Sequence, residues 1–323
     1  MTPEENLLRV IHHDRPAWVP NGMESVCYVW PPVVERPMKA GRDSWGVRFE
    51  LRADAHGGTF PAHNGHTITD LENWREQITI PNVDAMDFSA PVTEAEKIDR
   101  DTHLVSGFVE FGLFERSYCL LGMEQALMAY LAEPELMDEL VGTIADYKIR
   151  LIERLDDAAD LDIVWYGDDW GNQRQLFLPP DTWRRIIKPH TQRIFDAARA
   201  RGIMVNLHSC GRIEEVFDDI VEMGPAVWNP CQPCNDLADL KRRFAGQIAF
   251  CGGIDSQFVL ARPGVTAAEV RAEVRRRIDE LAPGGGYIAA PSQGVPYDEE
   301  IIAAMNDEIA TYGRRLYAGA GRG

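Results

Sequence analysis

From about residue 103 to the end, apolar runs of four to six residues alternate with amphipathic segments of ten or more. That alternation restricts the chain to a parallel sheet covered by helices. The strand candidates are 103–108, 162–166, 204–208, 226–229, 248–250 and 287–290, and the helices between and after them are 134–157, 181–201, 213–222, 237–244, 267–281 and 298–312. Six strands, joined by one or two more near Val19 and in the 44–52 segment, predict an α/β fold of the (β/α)8 TIM-barrel type. An open doubly wound sheet is the competing architecture. It normally carries a glycine-rich phosphate turn after an early strand, and this sequence has none.

Residues 1–100 follow no such rhythm, and no linker separates them from the rest. They read as an irregular insertion capping the barrel mouth, within one domain spanning 1–323. Thr2 as N-cap, Pro3 at the first helical position and Glu5 closing a capping box start a helix. A short strand at 17–21 leads into a loop rich in proline (Pro31, Pro32, Pro37). Asp54, His56, His63 and His66 follow, and then Thr69-Asp70-Leu71-Glu72 predicts another helix cap.

A formal net charge of −18 excludes nucleic acid and anionic membrane surfaces as partners, because both demand a basic face. No basic-then-apolar leader and no bilayer-length apolar stretch is present, so a cytoplasmic protein is expected, with homo-oligomer formation left open. Six cysteines in 323 residues do not make a disulfide framework. Four of them, Cys210, Cys231, Cys234 and Cys251, fall in one short stretch, which in a reducing compartment points to metal or redox chemistry.

Chemistry in a barrel belongs at the C-terminal strand ends, and five consecutive predicted strands end in polar groups. His208 and Cys210 lie two apart on an extended segment, so their side chains share a face. Imidazole and thiolate together suit zinc. Neighbouring strand ends lie roughly 5 Å apart, which makes Cys231 the candidate third metal ligand. Cys251, one strand further, is a fourth ligand or a wall of the substrate pocket. Asp168 and Asp169, on a glycine-flanked turn, can divide into acid and base, orient a ligand, or cap a neighbouring segment. Glu115 is a third catalytic carboxylate candidate, with Glu110 beside it, and pairing of these acids with Arg116 is the structural alternative. Gln173, Asp255 and Gln293 are candidate substrate-binding groups. Trp45, Trp165, Tyr166, Trp170 and Trp228 near the strand ends suit an aromatic substrate, with core packing as the ordinary alternative.

Gly112-Leu113-Phe114-Glu115-Arg116, Gly167-Asp168-Asp169-Trp170-Gly171, Leu207-His208-Ser209-Cys210-Gly211, Gly252-Gly253-Ile254-Asp255 and Gly285-Gly286-Tyr287-Ile288-Ala289-Ala290-Pro291 carry a resemblance to the uroporphyrinogen decarboxylase superfamily. Within it, the chain resembles the methyltransferases that exchange methyl groups with corrinoid cofactors. Asp43-Ser44-Trp45-Gly46-Val47 and the tail from Tyr287 look most like those that demethylate methoxy compounds, and no arginine-rich N-terminal motif of the true decarboxylase is present. Relatives that methylate coenzyme M bind zinc through a His-x-Cys pair, matched by His208 and Cys210, and a later Cys that falls at Gln293 here. A Glu also involved there falls at or near Cys231. The resemblance implies a zinc-dependent methyltransferase taking a methyl group from a methoxylated, aromatic small molecule to the corrinoid of a separate corrinoid-binding protein. Its rivals are a thiol or amine methyltransferase, a metal-free decarboxylase of a small carboxylated substrate, and a non-enzymatic binding barrel.

Overall fold

The computed structural model describes residues 1–52, 58–294 and 297–318. The histidine-rich candidates Asp54 and His56 lie outside them. Seven parallel strands form one curled sheet, in the order β1-β5-β6-β7-β8-β9-β10. They are β1 (Val26–Val29), β5 (Leu104–Val109), β6 (Ile163–Gly167), β7 (Met204–His208), β8 (Val227–Asn229), β9 (Ala249–Ile254) and β10 (Tyr287–Pro291). The intervening β2 (Gly41–Arg42), β3 (Arg48–Leu51) and β4 (Thr59–Pro61) make a separate antiparallel sheet. The 44–52 segment therefore does not enter the parallel sheet as expected, and β1, which sequence pattern missed, does. Next to Val19, Asn21 makes an isolated parallel bridge to Ala289. Gly22 N–H donates to the Ala289 carbonyl at 2.7 Å, which sets this segment against β10.

Strand burial explains the sequence pattern. All six residues of β9 and four of the five in β6 are buried, as expected of strands covered on both faces. The covering helices begin and end where their chemistry dictates. Pro134 opens Pro134–Ala159, which ends at Asp160 in the left-handed region (φ 51°). Thr266 and Glu269 form a capping box on Ala267–Leu281, and Asp236 caps Leu237–Phe244. The Thr2–Glu5 box on Pro3–Ile11 is present as expected. The 69–72 cap is not. Gln77 Oε1 instead accepts from Thr69 N–H at 2.8 Å, and the short helix Trp74–Gln77 starts after an Asn73 whose side chain caps nothing.

Leu7, Val10 and Ile11 pack on Leu104, Val227, Ala249 and Ile288 at the N-terminal ends of the strands, closing that end of the sheet with the first helix. The opposite end carries the loops and the N-terminal insertion. A buried ion network fixes that insertion. The Arg116 guanidinium donates to Asp43 Oδ2 at 2.5 Å and to Glu35, while Lys148 Nζ donates to Glu35 Oε1 at 2.9 Å and to the Glu110 carbonyl at 2.7 Å. Buried charges persist only when paired in this way. Burial pushes the Glu35 carboxyl up, but Lys148 and Arg116 outweigh it and hold the group below its usual range. Arg116 is thus committed to Glu35 and Asp43, leaving Glu110 to pair with Arg36 at 2.9 Å.

Candidate functional site

Parallel pairing aligns Phe108 with Trp165 and Trp165 with Asn206, and one pleat further along it aligns Gly167 with His208 and His208 with Asn229. These side chains therefore share one face of the sheet near its C-terminal edge. A Cβ on Gly167 would lie 2.7 Å from the Trp165 ring, so glycine there leaves room for the indole to rise along the strand. Trp165 stacks on Phe108 (ring centroids 4.2 Å apart, planes at 7°) and reaches the His208 imidazole at 4.7 Å.

The loops after β6 and β7 cross at two glycines. Gly211 has φ of 86°, and a Cβ on it would lie 2.1 Å from the backbone of Gly171. Only glycine permits that approach. The crossing brings Asp169 beside Cys210, whose N–H donates to Asp169 Oδ1 at 2.7 Å. Asp169, His208 and Cys210 consequently present one oxygen, one nitrogen and one sulfur, all within 4.8 Å of one another. His208 Nε2 lies 3.5 Å from Cys210 Sγ and 3.6 Å from Asp169 Oδ1. Ligands held tetrahedrally at zinc–ligand distances of 2.0–2.3 Å sit roughly 3.3–3.6 Å apart, so the donor set fits zinc in chemistry, and the two separations from His208 match that spacing.

His208 Nδ1 lies 2.7 Å from Asn229 Oδ1, and the Asn229 amide nitrogen donates to Asn206 Oδ1 at 2.5 Å. The Asn229 oxygen therefore faces the ring, Nδ1 carries the proton, and Nε2 is the nitrogen offered to the cluster. Burial, reinforced by Asp169, pushes the Cys210 thiol up in the metal-free chain.

Cys231, expected as the third ligand, is not brought to the pair. It is fully buried, and its Sγ donates to the Trp228 carbonyl at 3.3 Å. Cys251 packs with Leu7, Val10 and Ile288 against the first helix, and burial pushes its thiol up to about 12. Asp168 is also buried. Its carboxylate accepts from the N–H groups of Leu113 (2.9 Å), Phe114 (3.1 Å) and Glu115 (2.9 Å) and from Trp170 Nε1 (2.8 Å). It caps the helix Leu113–Leu121 from another strand end. Burial lifts it to about 6, and the four donors pull in the opposite direction, favouring the ionised form.

Glu115, on that capped helix, lines a cavity of about 390 Å³ together with Asp169, His208 and Trp165. Phe60, Pro61, Phe111 and Tyr118 complete its apolar wall, and Arg36 and Glu110 stand at one side. Burial first, then the charges of Asp169 and Asp168, hold the Glu115 carboxyl well above its usual range. The Tyr118 hydroxyl donates to Glu115 Oε1 at 3.2 Å. Of the aromatic candidates only Trp165 reaches this cavity, because Trp45, Tyr166, Trp170 and Trp228 are wholly inside the core. Gln173, Asp255 and Gln293 meet in a second cavity over β8–β10. Arg36 and Tyr118 escaped the sequence reading, and Asn229 stood there only as one of the polar strand ends, without a role. Asn229 alone had a signal, as the last residue of a predicted strand adjoining that of His208.

This is a parallel-sheet α/β protein with its donor groups gathered at the C-terminal edge of the strands, where proteins of that class place their sites. Within the class, the chain belongs to the uroporphyrinogen decarboxylase family, whose model, described as uroporphyrinogen decarboxylase (URO-D), matches residues 95–312. It is similar to the methylcobamide:CoM methyltransferase MtaA of Methanosarcina barkeri, 27% identical over 136 residues covering 41% of this chain and 38% of that protein. A uroporphyrinogen decarboxylase of Thermus thermophilus is 28% identical over 211 residues, covering 62% of this chain and 56% of that one. The chain thus spans less than two thirds of the length of these curated relatives. A solved methyltransferase from Methanosarcina mazei shares the fold, with a TM-score of 0.71 over 97% of this chain and 99% of that chain at 16% identity. Among the described residues no helix is long and apolar enough to cross a membrane.

Proposed function

We propose that the chain is a zinc-dependent methyltransferase of the corrinoid-linked branch of its family, moving a methyl group from a methoxylated aromatic small molecule to a corrinoid on a partner protein. The observation that carries this reading is the Asp169–His208–Cys210 donor set, of which Asp169 and His208 line an aromatic-walled cavity together with Glu115. The reading includes a closed (β/α)8-type barrel, supported by the isolated Asn21–Ala289 bridge, which sets the segment preceding β1 against β10. It also includes a cytoplasmic setting, consistent with six free cysteines and with a reaction that needs strongly reduced cobalt.

Asp169, His208 and Cys210 would hold the zinc, which when bound would supply Lewis-acid stabilisation to the departing ether oxygen. The remaining work falls to the chain. Trp165, Phe60 and Phe111 bind the arene and orient its methoxy group, converting an encounter into a positioned reaction. Glu115, protonated in its buried site, donates that proton to the leaving oxygen as the carbon–oxygen bond breaks. The methyl group passes to Co(I), giving methyl-Co(III) and the free phenol, so the two electrons of the new cobalt–carbon bond come from cobalt. Tyr118 holds Oε1 of the carboxylate left behind.

The test is incubation of the zinc-loaded protein with methoxybenzoates and free cob(I)alamin, following formation of methylcobalamin and phenol. Turnover with at least one methoxyarene supports the reading. Absence of methyl transfer from every methoxyarene, with the cobalt kept reduced, overturns it. Similarity to the methylcobamide:CoM methyltransferase favours a second reading, methylation of a small thiol. That reading predicts a thioether from methylcobalamin and a thiol in the same apparatus.

A further inference from the structure

Among the described residues, the cavities along the C-terminal edge of the sheet include two of contrasting chemistry. One, over β5–β7, is lined by Asp169 and His208 of the donor cluster and by Glu115. The other, of about 360 Å³, lies over β8–β10 and is lined by Gln173, Gln257, Gln293, Asp255, Arg174 and Phe258 among others. A hydrogen bond of 3.3 Å from Gln173 Nε2 to Gln232 Oε1 runs beside the second cavity, and Gly211 N–H anchors the same oxygen at 2.8 Å.

The second cavity is chemically unlike the first. Asp255 and Arg174 balance in charge, and Asp255 Oδ1 is already occupied by the Phe258 N–H at 2.8 Å. What converges instead is primary amide. Among the described residues, the side-chain amides of Gln257 and Gln293 have no protein partner, and Gln173 keeps its oxygen free. Each amide offers two donors and an acceptor with two lone pairs, so the pocket matches a neutral ligand that itself carries primary amides. Phe258, 70% exposed, adds an apolar platform at its rim.

We infer that the cavity formed by Gln173, Gln257 and Gln293 receives the acetamide and propionamide arms along one edge of the corrin ring. This deepens the corrinoid-linked reading and rests on it. A 360 Å³ cavity takes side arms, not the macrocycle, which leaves the corrin face turned toward the neighbouring donor cluster. Amide pairing then fixes the orientation of the ring, and Phe258 covers part of its alkyl edge.

The experiment is calorimetric titration of the full chain with hydroxocobalamin, read as a dissociation constant. Gln257→Leu with Gln293→Leu is expected to weaken binding at least tenfold. Gln257→Leu alone, at an exposed position that folding tolerates, is expected to weaken it at least threefold. Hydroxocobalamin with an amide arm hydrolysed to carboxylate is expected to bind the unaltered chain more weakly than the intact form. Unaltered affinity in both variants, with the parent chain binding, overturns the amide pocket and leaves the corrinoid reading standing. No binding by the parent chain overturns both.

Discussion

Asn229 sets the orientation of His208: its carboxamide oxygen stands 2.7 Å from Nδ1, while its nitrogen is held by Asn206. Removing that oxygen frees the ring to rotate or to change tautomer, although Asn229 touches no metal-facing atom. Asn229→Leu is therefore expected to lower zinc affinity about 10–100-fold. Asn229→Asp, which keeps an oxygen in place, should retain most of it. Competition with a chromogenic chelator measures both. Equal affinity in Asn229→Leu and the parent chain would remove this positioning role.

Metal content separates the donor set in the structure from the one that strand adjacency suggests. On the proposed zinc reading the parent chain binds about one zinc, and Asp169→Ala, His208→Ala and Cys210→Ser are each expected to lose it. Cys231→Ser should keep it, because Cys231 Sγ donates to the Trp228 carbonyl and lies outside the cluster. Elemental analysis of the four purified variants decides the matter. Zinc lost from Cys231→Ser with Asp169→Ala fully loaded reverses the assignment.

The contrast between Cys231 and Asp169 shows where sequence reading stops. Periodicity located the six regular strands and placed His208 and Cys210 on one face, because those features are set by spacing within a single segment. The third donor is set by a crossing of two loops, where Gly211 lies against Gly171 and delivers Asp169 to Cys210. Nothing local in either loop announces that contact. Asp168 and Asp169 looked equivalent in sequence, yet one is consumed in capping a helix 53–55 residues away and the other faces the cavity. The 44–52 segment carried a strand pattern but not the identity of its partner, and it paired within the antiparallel sheet instead.

Glu115 acts on the leaving oxygen in the proposed reaction, so its worth depends on how poor that leaving group is. Glu115→Gln keeps the shape and the Tyr118 contact but supplies no proton. Loss of a general acid typically costs 10²–10⁴-fold in rate. The loss in kcat is expected near the upper end for donors that release weakly acidic phenols and near the lower end for nitro-substituted ones. Steady-state rates across a series of substituted methoxyarenes measure this slope. A uniform loss across the series would assign Glu115 to binding.

Lys241 supplies a pH signature remote from the site. It lies on Leu237–Phe244 at the closed end of the sheet, donating to the Gly285 carbonyl and standing over the Phe250 ring, with His13 nearby. Burial lowers its ammonium to about 8, against 10.5 for an exposed lysine, despite the opposing influence of Cys231. Between those two values the unfolded chain holds a proton that the folded chain does not, so stability rises with pH across that window. At about 1.4 kcal/mol per pH unit the rise contributed by Lys241 totals about 3 kcal/mol. Buried thiols such as Cys231 and Cys251 act in the opposite direction as pH increases, because folding disfavours their ionised forms. The Cys251 contribution is common to the parent chain and Lys241→Met and cancels in their difference, whereas Cys231 interacts with Lys241, so Cys231→Ser serves as the common background for the comparison. Urea unfolding in that background at several pH values is expected to show the difference shifting in favour of the chain that keeps Lys241 by about 3 kcal/mol between pH 8 and 10.5. The Gly285 carbonyl left without its donor in Lys241→Met adds only a constant offset. Parallel stability curves for the two proteins would place the Lys241 ammonium in a solvated setting that its burial contradicts.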